Sequence, residues 1–217
     1  MKWKAQQWWA GANVVIIGGG DSLRSFDWRR LMPFMTIGCN DAYQLGPSVC
    51  TVCIFGDLNW YHRHCSRGLK EFPNPVFTNQ PSLYIKSPDW VLAMAREKTG
   101  VANDGESLGW GGNTGFAAVN LALYLGARRV FLLGFDMKRS EDGERRSNWH
   151  DHNVGKPNDA SYKRFSDQFK KHGKQFFEKF PGREIVNLGP DSNMNTFPKM
   201  KLDEIIPIIE TKEAVPA

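Results

Sequence analysis

The stretch that most constrains this chain is Asn13-Val14-Val15-Ile16-Ile17, followed at once by Gly18-Gly19-Gly20. The run is too short and too β-branched for a helix and shows no polar alternation, so it reads as a strand buried on both faces of a parallel sheet. Glycines at its end let the backbone approach a partner closely, and N–H groups backed by a following helix attract phosphate. The expectation is that Gly18, Gly19, Gly20, Asp21 and Ser22 face the phosphates of a nucleotide-type ligand, with a purely structural tight turn as the alternative. Asp21 or Ser22 is placed to cap the next helix, whose apolar face carries Leu23, Phe26 and Leu31 and which ends at Pro33. Gly18 and Gly20 match the first half of a dinucleotide fingerprint, but Leu23 occupies the place of its third glycine, which disfavours NAD.

Downstream, strand-like and helix-like patterns alternate. Strands are predicted at Phe34–Cys39, Val49–Phe55, Pro75–Thr78, Val130–Leu133 and Glu184–Leu188, with a further short piece at Leu83–Ile85. Helices are predicted over Gly115–Leu125, with Thr114 as cap, over Ser161–Phe180 and over Leu202–Ile209; a glycine-rich flexible loop covers Gly105–Gly112 and a polar loop residues 137–160. Such alternation predicts a single α/β domain of Rossmann-like type over residues 1–217, mainly parallel in its sheet, with helices on both faces. The Trp-rich leader, residues 1–12 with Trp3, Trp8 and Trp9, packs on its own domain or serves as a partner or homo-oligomer contact.

Length and composition agree with one globular domain: 217 residues, 41% hydrophobic and 24% charged. No apolar run is long enough to span a membrane and the start lacks signal-peptide features, so the reading is a cytoplasmic protein. A net charge of +5 favours anionic partners, such as nucleotide phosphates or a nucleic acid, over neutral ones. Cys50 and Cys53, with Cys65, His62 and His64 nearby, raise a zinc site, but their apolar run reads as a buried strand that points the two thiols to opposite faces as reduced core residues.

In such sheets ligands bind beyond the carboxyl ends of the strands. Small and amide or acidic residues recur there: the glycine turn, Asn40-Asp41, Gly56-Asp57, Gly134-Phe135-Asp136 and Gly189-Pro190-Asp191-Ser192. Asn40 and Asp41 follow the turn at the distance where an acidic group meets a ribose. Asp57 is a ribose, base or metal ligand, or else a helix cap; Asn113, Thr114 and Gly115 form a second helix start able to take an anion, or a plain N-cap. In the polar loop, His150 and His152 flank Asp151, a pattern compatible with a general base, a metal site or simple hydrophilicity.

The run from Asn113 to Asp136, with Thr-Gly at its start, a helix closing at Gly126 and a strand ending Gly134-Phe135-Asp136, resembles the second nucleotide-binding segment of bacterial lipooligosaccharide sialyltransferases. Ile16–Leu23 looks like that family's first segment, Gly38-Cys39-Asn40 like its second-strand asparagine, and the correspondence continues in order to Asn187–Ser192. Related domains occur in motility-accessory proteins that glycosylate flagellin, in hydroxymethylpterin diphosphokinases of archaeal type, and in short bacteriophage proteins. The resemblance implies a nucleotide-sugar donor, no tightly bound cofactor, an unspecified acceptor (a saccharide or a modified nucleic acid), and His150 or His152 as catalytic base. Where the family has a tyrosine pair supporting the leaving phosphate, Lys138, Arg139, Arg145 and Arg146 stand here, which suits a diphosphate leaving group, with Lys138, Arg139 and Arg146 as its stabilisers. The diphosphokinase branch implies instead Mg2+ held by Asp57 and Asp136; a third reading is a noncatalytic protein that sequesters a nucleotide.

Overall fold

The computed structural model describes residues 1–142, 144–150 and 157–210, with the side chains of the last helix described to residue 206. In chain order its elements are β1 (Asn13–Ile17), β2 (Met35–Cys39), β3 (Val52–Phe55), α1 (Leu58–Cys65), β4 (Val76–Thr78), α2 (Pro81–Ile85), β5 (Val91–Ala93), β6 (Ala95–Glu97), β7 (Ser107–Gly109), α3 (Thr114–Tyr124), β8 (Arg129–Leu133), α4 (Asp159–Lys179), β9 (Glu184–Asn187) and α5 (Leu202–Glu210). Seven strands form one sheet in the order β5-β4-β3-β2-β1-β8-β9, every pairing parallel, while β6 and β7 pair separately. The fold is thus a Rossmann-like α/β domain. Its order reverses at β1, which has Gly38 of β2 beside Ile17 on one side and Leu133 of β8 on the other.

Strand periodicity divides the core. Val14, Ile16, Ile37, Ile54, Val130 and Leu132 face α3 and α4, where Phe116, Phe169 and Phe176 are completely buried. Each such ring contributes roughly 1.5–3 kcal/mol on leaving water. On the other face Val15, Ile17 and Leu133 meet Leu23, Leu31, Leu202 and Ile205, and Phe55 meets Trp60 and Tyr61 of α1. The helix α3 is apolar all round because it lies between the sheet and α4, and this central position aims its N-terminus at the ends of the middle strands.

Several expectations are corrected. No helix follows the glycine turn: Asp21–Leu23 and Trp28–Leu31 are separate 3-10 turns, and neither Asp21 nor Ser22 caps the first of them. Asp27, in extended conformation between them, turns its carboxylate onto the Arg29 N–H and starts the second turn anew. Leu83–Ile85 belongs to the helix α2, which begins at a proline, a residue suited to the first helical position. The strand expected from Val49 begins at Val52, so Cys50 lies before it; both thiols pack in the same cluster instead of on opposite faces. The glycine-rich loop contains β7, and α1 and β5 lacked a recognisable pattern because one is short and polar and the other has only three residues.

The leader is tied to the sheet. Lys2 bridges to Ala93 in parallel, the Trp3 N–H donates to the Ala93 carbonyl, and Trp3 packs edge-on against Phe77 at 4.8 Å. Among the described residues no helix is long and apolar enough to cross a membrane.

Candidate active site

A cleft of about 570 Å³ opens beyond the carboxyl ends of the central strands, where the strand order reverses. Of the residues singled out from the sequence, Gly18, Gly19, Gly20, Asn40, Asp41, Asp57, Asn113, Thr114, Gly115, Gly134, Asp136 and His150 line it. His152 and Asp151 lie outside the described residues. Asp21, Ser22, Lys138, Arg139 and Arg146 are not in the lining.

The glycine turn works differently from the expectation. The Gly18 N–H donates to the Leu133 carbonyl and the Gly20 N–H to Gly134, both 2.8 Å. Ser22 gives its N–H (2.9 Å) and hydroxyl (2.7 Å) to the two oxygens of Asp136. A Cβ on Gly18 would stand 2.5 Å from the Gly134 carbonyl oxygen, and one on Gly20 2.4 Å from the Asp136 carboxyl carbon. These glycines let the loops after β1 and β8 interlock, and the donors expected to hold phosphate are largely committed to that clasp. Burial pushes the Asp136 carboxyl above its ordinary range, opposed by the Ser22 bonds. With a Ser22 donor on each oxygen, Asp136 ties the loops after β1 and β8 together at the edge of the cleft.

Donors for an anion are found at α3 instead. The cap is Asn113, not Thr114: its side chain accepts the Phe116 N–H at 2.8 Å. The N–H groups of Thr114 and Gly115 stand at the cleft and donate to no group among the described residues. Gly115 also permits close packing, since a Cβ there would lie 2.6 Å from the Phe135 ring. Arg63, on the last turn of α1, lines the same cleft and forms no ion pair among the described residues. The cations expected near the leaving phosphate are engaged elsewhere: Lys138 with Glu141, Arg139 with Asp159, and Arg146 with Asp21, Asp142 and Glu144. Asp57 is a helix cap, accepting the Trp60 N–H at 2.6 Å, with its side chain in the cleft wall.

His150 is carried in by its neighbour. Trp149 donates its backbone N–H to the Gly19 carbonyl and its indole N–H to the Gly18 carbonyl, both at 3.0 Å, and Arg24 reaches the Asn148 carbonyl at 3.4 Å. The imidazole Nδ1 then lies 3.4 Å from Oδ2 of Asp41. Asp41, 4% exposed, accepts the Trp60 indole N–H at 2.5 Å through Oδ1 and has His64 Nε2 at 3.6 Å on the same side. His64 stacks on Trp60 at 4.2 Å and places Nδ1 3.0 Å from the Tyr43 hydroxyl. Burial holds the His64 pKa below its ordinary value, partly offset by Asp41.

Sequence reasoning missed Trp60, Arg63, Trp110 and Tyr162 of the lining. Tyr162, on the first turn of α4, is a buried tyrosine at the cleft whose hydroxyl donates to the Ser147 carbonyl at 2.5 Å. Trp110 is backed by the Arg96 guanidinium 3.9 Å from its ring centre. Two non-glycine residues of the lining have left-handed backbone, Asn40 directly after β2 and Met137 four residues past the end of β8, each with φ of 53°. Asparagine tolerates this region; for methionine it costs on the order of 1 kcal/mol, a strain concentrated at the cleft. Among the described residues no group of three His, Cys, Asp or Glu is arranged to hold a metal ion, so the zinc alternative finds no support there.

No family model matches the sequence, and no curated protein does. Solved structures do resemble it. The MAf glycosyltransferase from Magnetospirillum magneticum AMB-1 superposes with a TM-score of 0.65 at 13% identity over 97% of this chain. The chain spans 37% of that protein's length. The sialyltransferase CstII from Campylobacter jejuni, in complex with the substrate analogue cytidine-5'-monophosphate, superposes at 0.53 and 14% identity, covering 88% of this chain and 85% of CstII. At these identities the likeness establishes the fold: a Rossmann-like domain of the kind found in glycosyltransferases.

Proposed function

We propose that the chain is a nucleotide-sugar-dependent glycosyltransferase, and the observation that carries this reading is the His150–Asp41 pair set in the cleft that Arg63 and the start of α3 also line. With Asp41 Oδ2 3.4 Å from its Nδ1 to stabilise the imidazolium that forms, His150 takes the proton from an acceptor hydroxyl. The acceptor oxygen attacks the anomeric carbon while the bond from that carbon to the donor phosphate breaks. The electron pair leaves with the phosphate oxygen, stabilised by the Thr114 and Gly115 N–H groups and the Arg63 guanidinium. The fold neighbours support this reading, both being glycosyltransferases and one of them bound to a cytidine nucleotide.

The test is a panel of CMP, UDP, GDP and ADP and their sugar conjugates, scored by calorimetric binding and by hydrolysis. A nucleotide that binds, with hydrolysis of its sugar conjugate reduced about 10²–10⁴-fold in His150→Ala while binding is retained, is the expected result. Absence of binding by every nucleotide refutes the proposal. Binding without turnover, unchanged by His150→Ala, makes the protein a nucleotide-sequestering one, and ATP turnover abolished by EDTA makes it a diphosphokinase.

A further inference from the structure

One wall of the cleft is an indole that the transfer reaction as written does not use. Trp110 donates its backbone N–H to the Glu97 carbonyl, and its own carbonyl accepts the Asn113 N–H, both at 3.0 Å. One face of its ring lies against the Arg96 guanidinium, 3.9 Å from the ring centre. That guanidinium is itself fixed, Nε donating to the Asn79 carbonyl at 3.0 Å and Nη2 to the Gly56 carbonyl at 2.6 Å. The far edge of the ring fills the space beside Gly56, where a Cβ would collide with Cζ3 and Cη2. Trp110 lines the cleft and Arg96 does not, so the ring presents to the cleft the side away from the guanidinium. Trp60, the other indole of the lining, is committed differently: it stacks on His64 at 4.2 Å and packs against Phe55 at 5.3 Å.

The position of this ring along the cleft follows from the turn that carries it. Gly111 and Gly112 have φ of 49° and 72°, the left-handed pair needed by a tight two-residue turn closed between Trp110 and Asn113. Such a turn keeps the Cα atoms of Trp110 and Asn113 within about 7 Å, so the indole stands next to the start of α3. The strand ends then give a direction. Trp110 packs on Gly56 after β3, the Thr114 hydroxyl is 3.4 Å from the Asn40 amide oxygen after β2, and Trp149 holds the His150 segment on the glycines after β1. Since β2 lies between β3 and β1, about 10 Å of sheet separates the Trp110 end of the cleft from the glycine turn. A donor with its phosphate at Thr114 and Gly115 and its transferred sugar toward His150 extends its nucleoside end toward Trp110. We propose, resting on the transferase reading, that Trp110 is the platform on which the donor's nucleobase stacks. Every base has a π face, so the platform adds affinity without selecting among bases. A ring already fixed on its edge and one face loses little freedom when the base arrives.

The experiment measures binding of AMP, GMP, CMP and UMP to the full chain by calorimetry, and of ribose 5-phosphate, which has no base, by its displacement of the tightest of them. Wild type, Trp110→Leu and Trp110→Phe are compared, with thermal melts showing that each is folded. Leucine keeps an apolar side chain without a π face, and phenylalanine keeps a smaller face. Trp110→Leu is expected to weaken nucleotide binding by about 5–150-fold and to leave ribose 5-phosphate within about twofold of wild type, while Trp110→Phe recovers most of the loss. If Trp110→Leu does not fold, Trp110→Phe carries the test through a smaller loss confined to the nucleotides. An equal loss for nucleotide and ribose 5-phosphate, or no loss, overturns the platform and leaves the transferase reading standing. A loss for a sugar conjugate with none for its nucleotide also overturns it, since the indole then faces the sugar. Wild-type protein that binds no nucleotide refutes the transferase reading itself, and the platform with it.

Discussion

Replacing Gly20 by alanine separates the two roles that a glycine turn can have. The backbone there has φ of −56° and ψ of 143°, which alanine adopts without strain, so any loss must come from the added methyl group. That methyl would lie 2.4–2.5 Å from all three atoms of the Asp136 carboxylate, which is held by two bonds from Ser22. Moving the carboxylate stretches both bonds, each contributing about 1.5–3 kcal/mol when the acceptor is charged. Overpacking adds roughly 1–3 kcal/mol, and the stiffer unfolded chain returns about 0.4–1 kcal/mol. Partial relaxation leaves a net loss of about 2–4 kcal/mol. In a chain of this size the melting temperature falls about 2–4 °C per kcal/mol, so a drop of roughly 5–15 °C is expected in thermal melts of the ligand-free protein. Ser22→Ala, which removes one of the two bonds, should give a smaller drop. A Gly20→Ala protein that melts within about 1 °C of wild type, yet binds nucleotide far more weakly, would refute the clasp and return the glycine to a ligand-facing role.

Two further outcomes follow from the buried titratable groups. Burial raises the thiols of Cys39, Cys50 and Cys53, Cys50 to about 12, so at pH 8 they remain protonated; native labelling with a thiol reagent should modify at most Cys65 rapidly, and fast reaction of two or more thiols contradicts the packing. Burial also depresses His172, so the unfolded chain takes up a proton there that the folded chain refuses, and stability falls as pH drops below about 6.5. His172→Gln should therefore flatten the dependence of the urea midpoint on pH between 5 and 7, and a slope identical to wild type would show that His172 titrates normally in the native state.

The strands that are buried on both faces were legible in the sequence because short continuous apolar runs have few other solutions: β1, β8 and β9 appear within one residue of their expected bounds, and α3 and α4 within two. The rule that ligands gather at the carboxyl ends of such strands then placed Asn40, Asp41, Asp57, Asn113 and Asp136 around one cleft. What those residues do there was not legible. Whether a glycine meets a phosphate or a neighbouring loop, and whether Arg146 faces a ligand or Asp21, depends on partners more than a hundred residues away in the chain. The same holds for Asp41. Its position after β2 follows from local pattern, but its enclosure by Trp60, His64 and His150 arises only when α1 and the loop after β8 fold over the same strand end. Local periodicity reports which face of an element is apolar, since that preference is carried by each residue alone. Hydrogen-bond pairing and desolvation are properties of two or more groups brought together, and in this protein they exist only once the sheet has assembled.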